Sequence, residues 1–286
     1  MLIQKSMSES AAVVKKFLPS EQLSQYILTY FYFSSDIAVP AQFTEPSIGN
    51  MILTIVVEGE GNFSNDGKSK KIIGTQVFGP HERPNQYTIC GPRFTMLNIV
   101  LKPVAASLLF NVNPDQFADD VVNINDLLPP SKRADLEDLV GTVTDTVLLK
   151  KYLDAFFVNL LPSQNEIYKS ILANDLLGYL DESQGKIKVK DTVQYFKTSE
   201  QYLRRRFNQY VGISPKLYAR ILGFREDFLE HYEKDQSDKS SQWLQYFYDQ
   251  SHRIRNYKEF TGYTPQSLPK EQFAMTYAFL KMSKQG

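Results

Sequence analysis

The sequence predicts an α+β chain in two parts: a small antiparallel β barrel or sandwich with accompanying helices, then an all-helical part. Three observations predict it. Runs rich in β-branched and aromatic residues, punctuated by tight turns, fill residues 51 to 101. Beyond Asn165 the apolar residues recur at three- and four-residue spacing. The charge also divides: residues 1–180 carry 14 Lys+Arg against 19 Asp+Glu, whereas residues 181–270 carry 16 against 12. With 286 residues, 42% of them hydrophobic, the chain is long enough for two domains. Pro162-Ser163 marks the expected boundary, giving parts 1–162 and 163–286.

Residues 11 to 33 read as a short helix or turn leading into a first strand. MILTIVVEGEG from Met51 is a strand, and Asn65-Asp66-Gly67 is a hairpin turn followed by the strand KIIGTQVFG. QYTIC and FTMLNIVL form two more strands, separated by Gly91-Pro92. VAASLLFNV is a short helix, Asn113-Pro114 a turn, and ADLEDLVGTVTDTVLLKKYLDAFFVNLL one or two amphipathic helices. EIYKSILANDLLGYLDES is a helix that ends near Gly185, and VKDTVQYF is a short one. In SEQYLRRRFNQYVGISP, Ser199 is an N-cap, Leu203, Phe207 and Tyr210 line one face, and Gly212 stops the helix. Pro215 opens a long helix of alternating charge. SSQWLQYFYD and SHRIRNYKEF repeat the short-helix, long-helix pairing, and a last helix forms around QFAMTYAFLKM.

Composition narrows the function. No stretch approaches the roughly 18 apolar residues of a membrane span, and MLIQKSMSES lacks the apolar run of a signal peptide, so the expected location is cytoplasmic. The single Cys90 excludes an internal disulfide framework and a cysteine-cluster metal site. His81 follows Gly79-Pro80, where barrel enzymes of the cupin type often bind metal, but such sites need several histidines and a carboxylate, and no second N-terminal histidine exists. The pairs Glu58/Glu60 and Asp119/Asp120 read as loop solvation. The expectation is a protein that is not an enzyme, with no cofactor and no metal.

The arginine triplet Arg204, Arg205 and Arg206 on the polar side of a short capped helix suits a surface that meets phosphates and guanine edges. Its surroundings carry a resemblance. Leu203, Arg205 and Phe207 lead to Val211-Gly212-Ile213-Ser214-Pro215. A second unit has Tyr248-Asp249-Gln250-Ser251-His252, then Lys258-Glu259-Phe260-Thr261-Gly262-Tyr263-Thr264-Pro265. Residues 165 to 268 therefore resemble the DNA-binding domain of the AraC-type transcription regulators, two helix-turn-helix units joined by a linker helix. FGPHERP, NIVLKP and VVNINDLLP are similar to the cupin-like, sensor-like domain that precedes this module in a group of bacterial regulators.

The resemblance implies roles. Ser199 caps the first recognition helix, Gln201, Arg204 and Arg205 face bases or phosphates, and Arg206 lies to one side as a phosphate contact or a solvated group. In the second unit Gln250, Ser251, His252 and Arg255 take the matching places. The linker helix holds the two about one DNA turn, roughly 34 Å, apart. Promoter DNA is the implied partner and RNA polymerase a further contact, while the N-terminal part senses a small effector or forms a homodimer. The aromatic density, 19 Phe and 17 Tyr, separately suggests an apolar pocket in the β domain or a dimer face along residues 135 to 161. The sequence also departs from the pattern, with Val193 in place of alanine and with Lys197 and Tyr246 where the turns usually have glycine. Arg253 stands where an apolar residue packs inward, which predicts a second helix that is rotated or locally open. Gly223 interrupts the linker helix at a cost of about 1 kcal/mol. The competing reading is a ligand-binding or protein-interaction protein whose helical part no longer binds DNA specifically.

Overall fold

The computed structural model describes residues 13–36, 41–133, 136, 145–186, 189–233 and 247–284. Eight strands, β1 (Val13–Phe17), β2 (Ile27–Asp36), β3 (Ala41–Glu45), β4 (Met51–Asn65), β5 (Lys68–Ile72), β6 (Thr75–Phe78), β7 (Asn85–Leu101) and β8 (Val121–Asn123), form one antiparallel sheet. Its order is β1-β2-β7-β4-β6-β8, with β3 also paired to β7 and β5 to β4. The long β4 and β7 are its spine. Asp66 and Gly67 both take positive φ, as a two-residue type I′ hairpin requires, so the Asn-Asp-Gly signal is realised between β4 and β5.

Three expectations change in this half. The stretch before the first predicted strand contains β1 itself, and β3 was not anticipated. KIIGTQVFG is split by Gly74 into β5 and β6. QYTIC and FTMLNIVL are one continuous strand: the ladder with β4 skips from Thr95 to Cys90, and Gly91-Pro92 falls in that skip. A proline there removes no ladder hydrogen bond.

Along β4 and β7 alternate residues serve opposite faces. Leu53, Ile55, Leu97 and Ile99 join the main apolar cluster, whereas Ile52, Thr54, Met96 and Asn98 line a partly open cavity. Burial on both faces explains why these strands read as continuous apolar runs.

The helices are α1 (Ala105–Phe110), α2 (Ile124–Leu127), α3 (Thr146–Val158), α4 (Gln164–Glu182), α5 (Val189–Phe196), α6 (Glu200–Val211), α7 (Pro215–Glu233), α8 (Gln250–Thr261) and α9 (Ala274–Lys284). Helix α3 follows the β part and is tied to it by Asp154, whose Oδ1 accepts from Tyr30 Oη at 2.9 Å and from the Ser20 amide at 3.2 Å. Helix α4 begins with a capping box: Ser163 Oγ accepts from the Glu166 amide, and the Glu166 carboxylate accepts from the Ser163 amide. Gly223 is buried within an unbroken α7. Of the one or two helices expected over residues 134–161, α3 is described, whereas residues 134–135 and 137–144 lie outside the described residues, as do residues 240–246 of SSQWLQYFYD, including the Tyr246 turn.

The fold class is therefore α+β, as expected, but the halves are not separate cores. One apolar cluster runs from Leu23, Tyr30 and Leu53 through Leu153 and Leu176 to Phe207, Phe224 and Phe273.

Candidate nucleic-acid interface

The first unit is α5, a short turn and α6. Ser199 Oγ accepts from the Tyr202 amide at 3.2 Å and caps α6, while Gly212 ends it at φ 86°. Leu203, Phe207, Tyr210 and Val211 are buried, as the apolar spacing requires. Gln201, Arg204 and Arg205 are exposed on α6, and the Arg205 guanidinium lies 5.3 Å from the Tyr202 ring centre.

Arg206 differs from its two neighbours. Its guanidinium donates to the Lys169 carbonyl on α4 and to Gln209 Oε1 at 2.7 Å, and it lies 5.0 Å from the Tyr210 ring centre. The triplet thus divides into two exposed arginines and one that ties α6 to α4.

The second unit ends in α8, capped by Asp249, whose Oδ1 accepts from the His252 amide at 2.7 Å. Gln250, Ser251 and Arg255 are exposed. His252 is half-buried against Phe247, with ring centres 5.8 Å apart, and burial together with Arg220 holds its imidazole below the usual range. It therefore lines a cleft rather than projecting beside Gln250 and Ser251. That cleft, about 350 Å³, lies between the two units, and Arg204, Lys216, Arg220 and His252 bring positive or titratable groups to it.

Arg253 corrects the expectation of a rotated or open helix. Its side chain is 13% exposed and points inward, as the family pattern places that position, but it is not unpaired. Nε donates to Asp227 Oδ2 of α7 at 2.8 Å, the Asp227 side chain is 3% exposed, and the guanidinium lies 5.2 Å from the Tyr257 ring centre. A buried pair with good geometry keeps α8 seated where an apolar contact would otherwise do so. Asp227 was missed by sequence reasoning, although its spacing from Phe224 places it on the apolar stripe of α7, which is the available signal.

Arg220 was missed as well. It grips Glu259 with two parallel bonds of 3.1 and 2.6 Å and donates from Nε to Asn256 Oδ1 at 2.9 Å, locking α7 to α8.

The first unit is seated on the β part. A Cβ at Gly212 would stand 2.6 Å from Pro80 Cγ and 2.9 Å from Pro114 Cβ. On α7, Arg225 donates to the Ile48 carbonyl of the β part at 3.3 Å, while Tyr218 Oη donates to Asp181 Oδ1 of α4 at 3.0 Å within the helical part. His81, the residue weighed as a metal ligand, is buried with both ring nitrogens engaged. Nε2 lies 3.2 Å from the Pro46 carbonyl and Nδ1 lies 3.3 Å from the Asn85 amide, so protonation on Nε2 satisfies both.

A domain family described as of unknown function, DUF6597, matches residues 15–123. No curated protein matches. Among solved structures, the chain is similar to unsaturated fatty acid-bound wild-type ToxT from Vibrio cholerae, with 10% identity, TM-score 0.46, and 85% of this chain and 95% of that one covered. It is also similar to ToxT from Vibrio cholerae bound to (E)-4-(8-methylnaphthalen-1-yl)but-3-enoic acid, with 11% identity, TM-score 0.44, and coverage of 96% and 99%. A cupin superfamily protein from Desulfitobacterium hafniense is 16% identical with a TM-score of 0.24, over 32% of this chain and 76% of that one.

Proposed function

We propose that the chain is an AraC-type transcription regulator, with residues 163–286 binding promoter DNA and residues 1–162 sensing a small effector, forming a dimer, or both. One observation carries the reading. Two capped helices, α6 and α8, each end at a glycine of positive φ and present exposed polar and basic residues beside a shared cleft. The 19 residues of α7 join them and span about 28 Å, of the order of one DNA turn. Gln201, Arg204, Arg205, Gln250, Ser251 and Arg255 are the proposed contacts, with His252 and Lys216 reached from the cleft. Arg206 keeps the first helix in place.

Fluorescence anisotropy with DNA enriched by the full chain from a random pool tests this. Arg204→Ala/Arg205→Ala should weaken binding at least tenfold, because each bidentate arginine–guanine pair is worth about 1–3 kcal/mol. Wild-type affinity should fall steeply as salt rises, since phosphate contacts release counterions. If the pool shows no enrichment at low salt, the helical part serves a protein or ligand partner and this reading is wrong.

A further inference from the structure

A partly open cavity of about 100 Å³ between the β part and the last helix plays no role at the cleft. Phe31, Phe78, Phe94 and Met96 supply its apolar wall from three strands, and the far end of the chain closes it through Met275, Thr276 and Phe279 of α9. Among the described residues no lysine, arginine or histidine lines it, and Glu45 is the one charged group that does. Tyr87 Oη and Asn85 Nδ2 donate to Glu45 Oε2 at 2.7 and 3.3 Å, and Oε1 has no hydrogen-bond partner among the described residues. Asn98 also lines it; its Oδ1 accepts from Thr54 Oγ1 at 2.8 Å, which leaves the Asn98 amide group as a donor.

We infer that this cavity binds a small uncharged apolar molecule bearing one hydroxyl, an alcohol or phenol of single-ring size, with Glu45 as the acceptor and α9 as a wall that senses occupancy. The size is bounded by volume: about 100 Å³ is less than the roughly 150 Å³ of a dry apolar cavity that holds benzene, so a single small ring is the upper limit and a ring with a substituent must displace a wall side chain. The chemistry follows from the lining. A carboxylate ligand would lose its hydration and meet Glu45 with no cation to compensate. An ammonium group would bring three donors to a single free carboxylate oxygen. A hydroxyl brings one donor for Glu45 and carries no charge into the apolar wall.

The wall is connected. The other side of α9 is anchored to α7, with the Tyr277 and Tyr232 rings stacked 4.2 Å apart and Lys281 Nζ donating to Glu233 Oε1 at 2.8 Å. A ligand that displaces Met275 or Phe279 therefore bears on the last turn of the helix joining the two units. Only this coupling rests on the regulator reading; the ligand chemistry does not.

Calorimetry on the full chain at neutral pH should compare phenol with benzoate and 1-hexanol with hexanoate. The hydroxyl compounds should bind at least tenfold more tightly than the matching carboxylates, and Phe279→Trp, which fills the cavity, should weaken phenol binding at least tenfold. Carboxylates that bind equally well, or folded wild-type protein that takes up neither hydroxyl compound, would overturn the inference. Undiminished phenol binding by Phe279→Trp would remove α9 from the site. Saturating phenol should change DNA affinity at least threefold; no change would overturn the coupling. A chain that binds phenol but no DNA would sink the regulator reading and leave the ligand chemistry standing.

Discussion

Arg204 and Arg253, one in each helical unit, do opposite work. Arg204 is exposed at the cleft, so its replacement by alanine should leave stability within about 0.5 kcal/mol while lowering DNA affinity. Arg253→Ala should instead destabilise the fold by about 3–5 kcal/mol, because it strands the buried Asp227 carboxylate. Urea denaturation distinguishes them. The double change Arg253→Met/Asp227→Leu should recover most of that loss, since an apolar pair of similar volume removes both buried charges; a double variant as unstable as the single one would show that the pair is not the cause. The sequence marked Arg253 as anomalous but could not supply its remedy, because the partner lies 26 positions away on another helix. Arg206 illustrates the same limit: three adjacent arginines are equivalent in composition, and only the position of the Lys169 carbonyl separates the third from the others.

At the scale of elements, the helical half was legible because its punctuation is local. Ser199, Gly212, Pro215 and Gly262 act within their own turns, and the spacing of Leu203, Phe207 and Tyr210 fixes the buried face. Lys197 sits where the turn favours glycine and adopts φ 49° there. Lys197→Gly should relieve about 1 kcal/mol of left-handed strain and raise Tm by about 2–4 °C. A thermal melt checks it, and a lowered Tm would show that the lysine side chain supplies more than its backbone costs. The β half was less legible for a physical reason. Strand existence depends on ladder partners far along the chain, so β1 and β3, of five residues each, carry little pattern of their own. Gly91-Pro92 reads as a break only if the ladder is assumed regular, and here it bulges. The expected effector of the N-terminal part had no residues attached to it in the sequence: Glu45 as the polar group of the cavity and α9 as its wall belong to no motif.

For the whole molecule, one network reports on the contact between halves. Burial holds the Asp181 carboxyl above its ordinary value of 3.8, against the Tyr218 hydrogen bond and the nearby Arg225 and Lys102. A carboxyl raised in the folded state keeps its proton longer there than in the unfolded chain. Its penalty is therefore absent at low pH and grows as pH climbs from about 3.8 through the raised value. Asp181→Asn, which keeps an acceptor for Tyr218, should raise Tm at neutral pH by about 2 °C and leave it unchanged below pH 4. Melting curves across that range test the sign; a lower Tm at neutral pH would mean that Arg225 and Lys102 outweigh burial. The shared apolar cluster further predicts a single calorimetric transition, with strand and helix signals lost together.

Gly212 stops a helix and, in the same place, leaves room for Pro80 and Pro114 and for nothing larger. That double duty limits what a protein engineer can transplant. A sensor half grafted at residue 162 from another regulator would arrive without the two prolines that this glycine was cut to fit. A chimera built to answer a new chemical signal should therefore carry the loops around residues 80 and 114 together with the helical half, even though they lie on the other side of the seam.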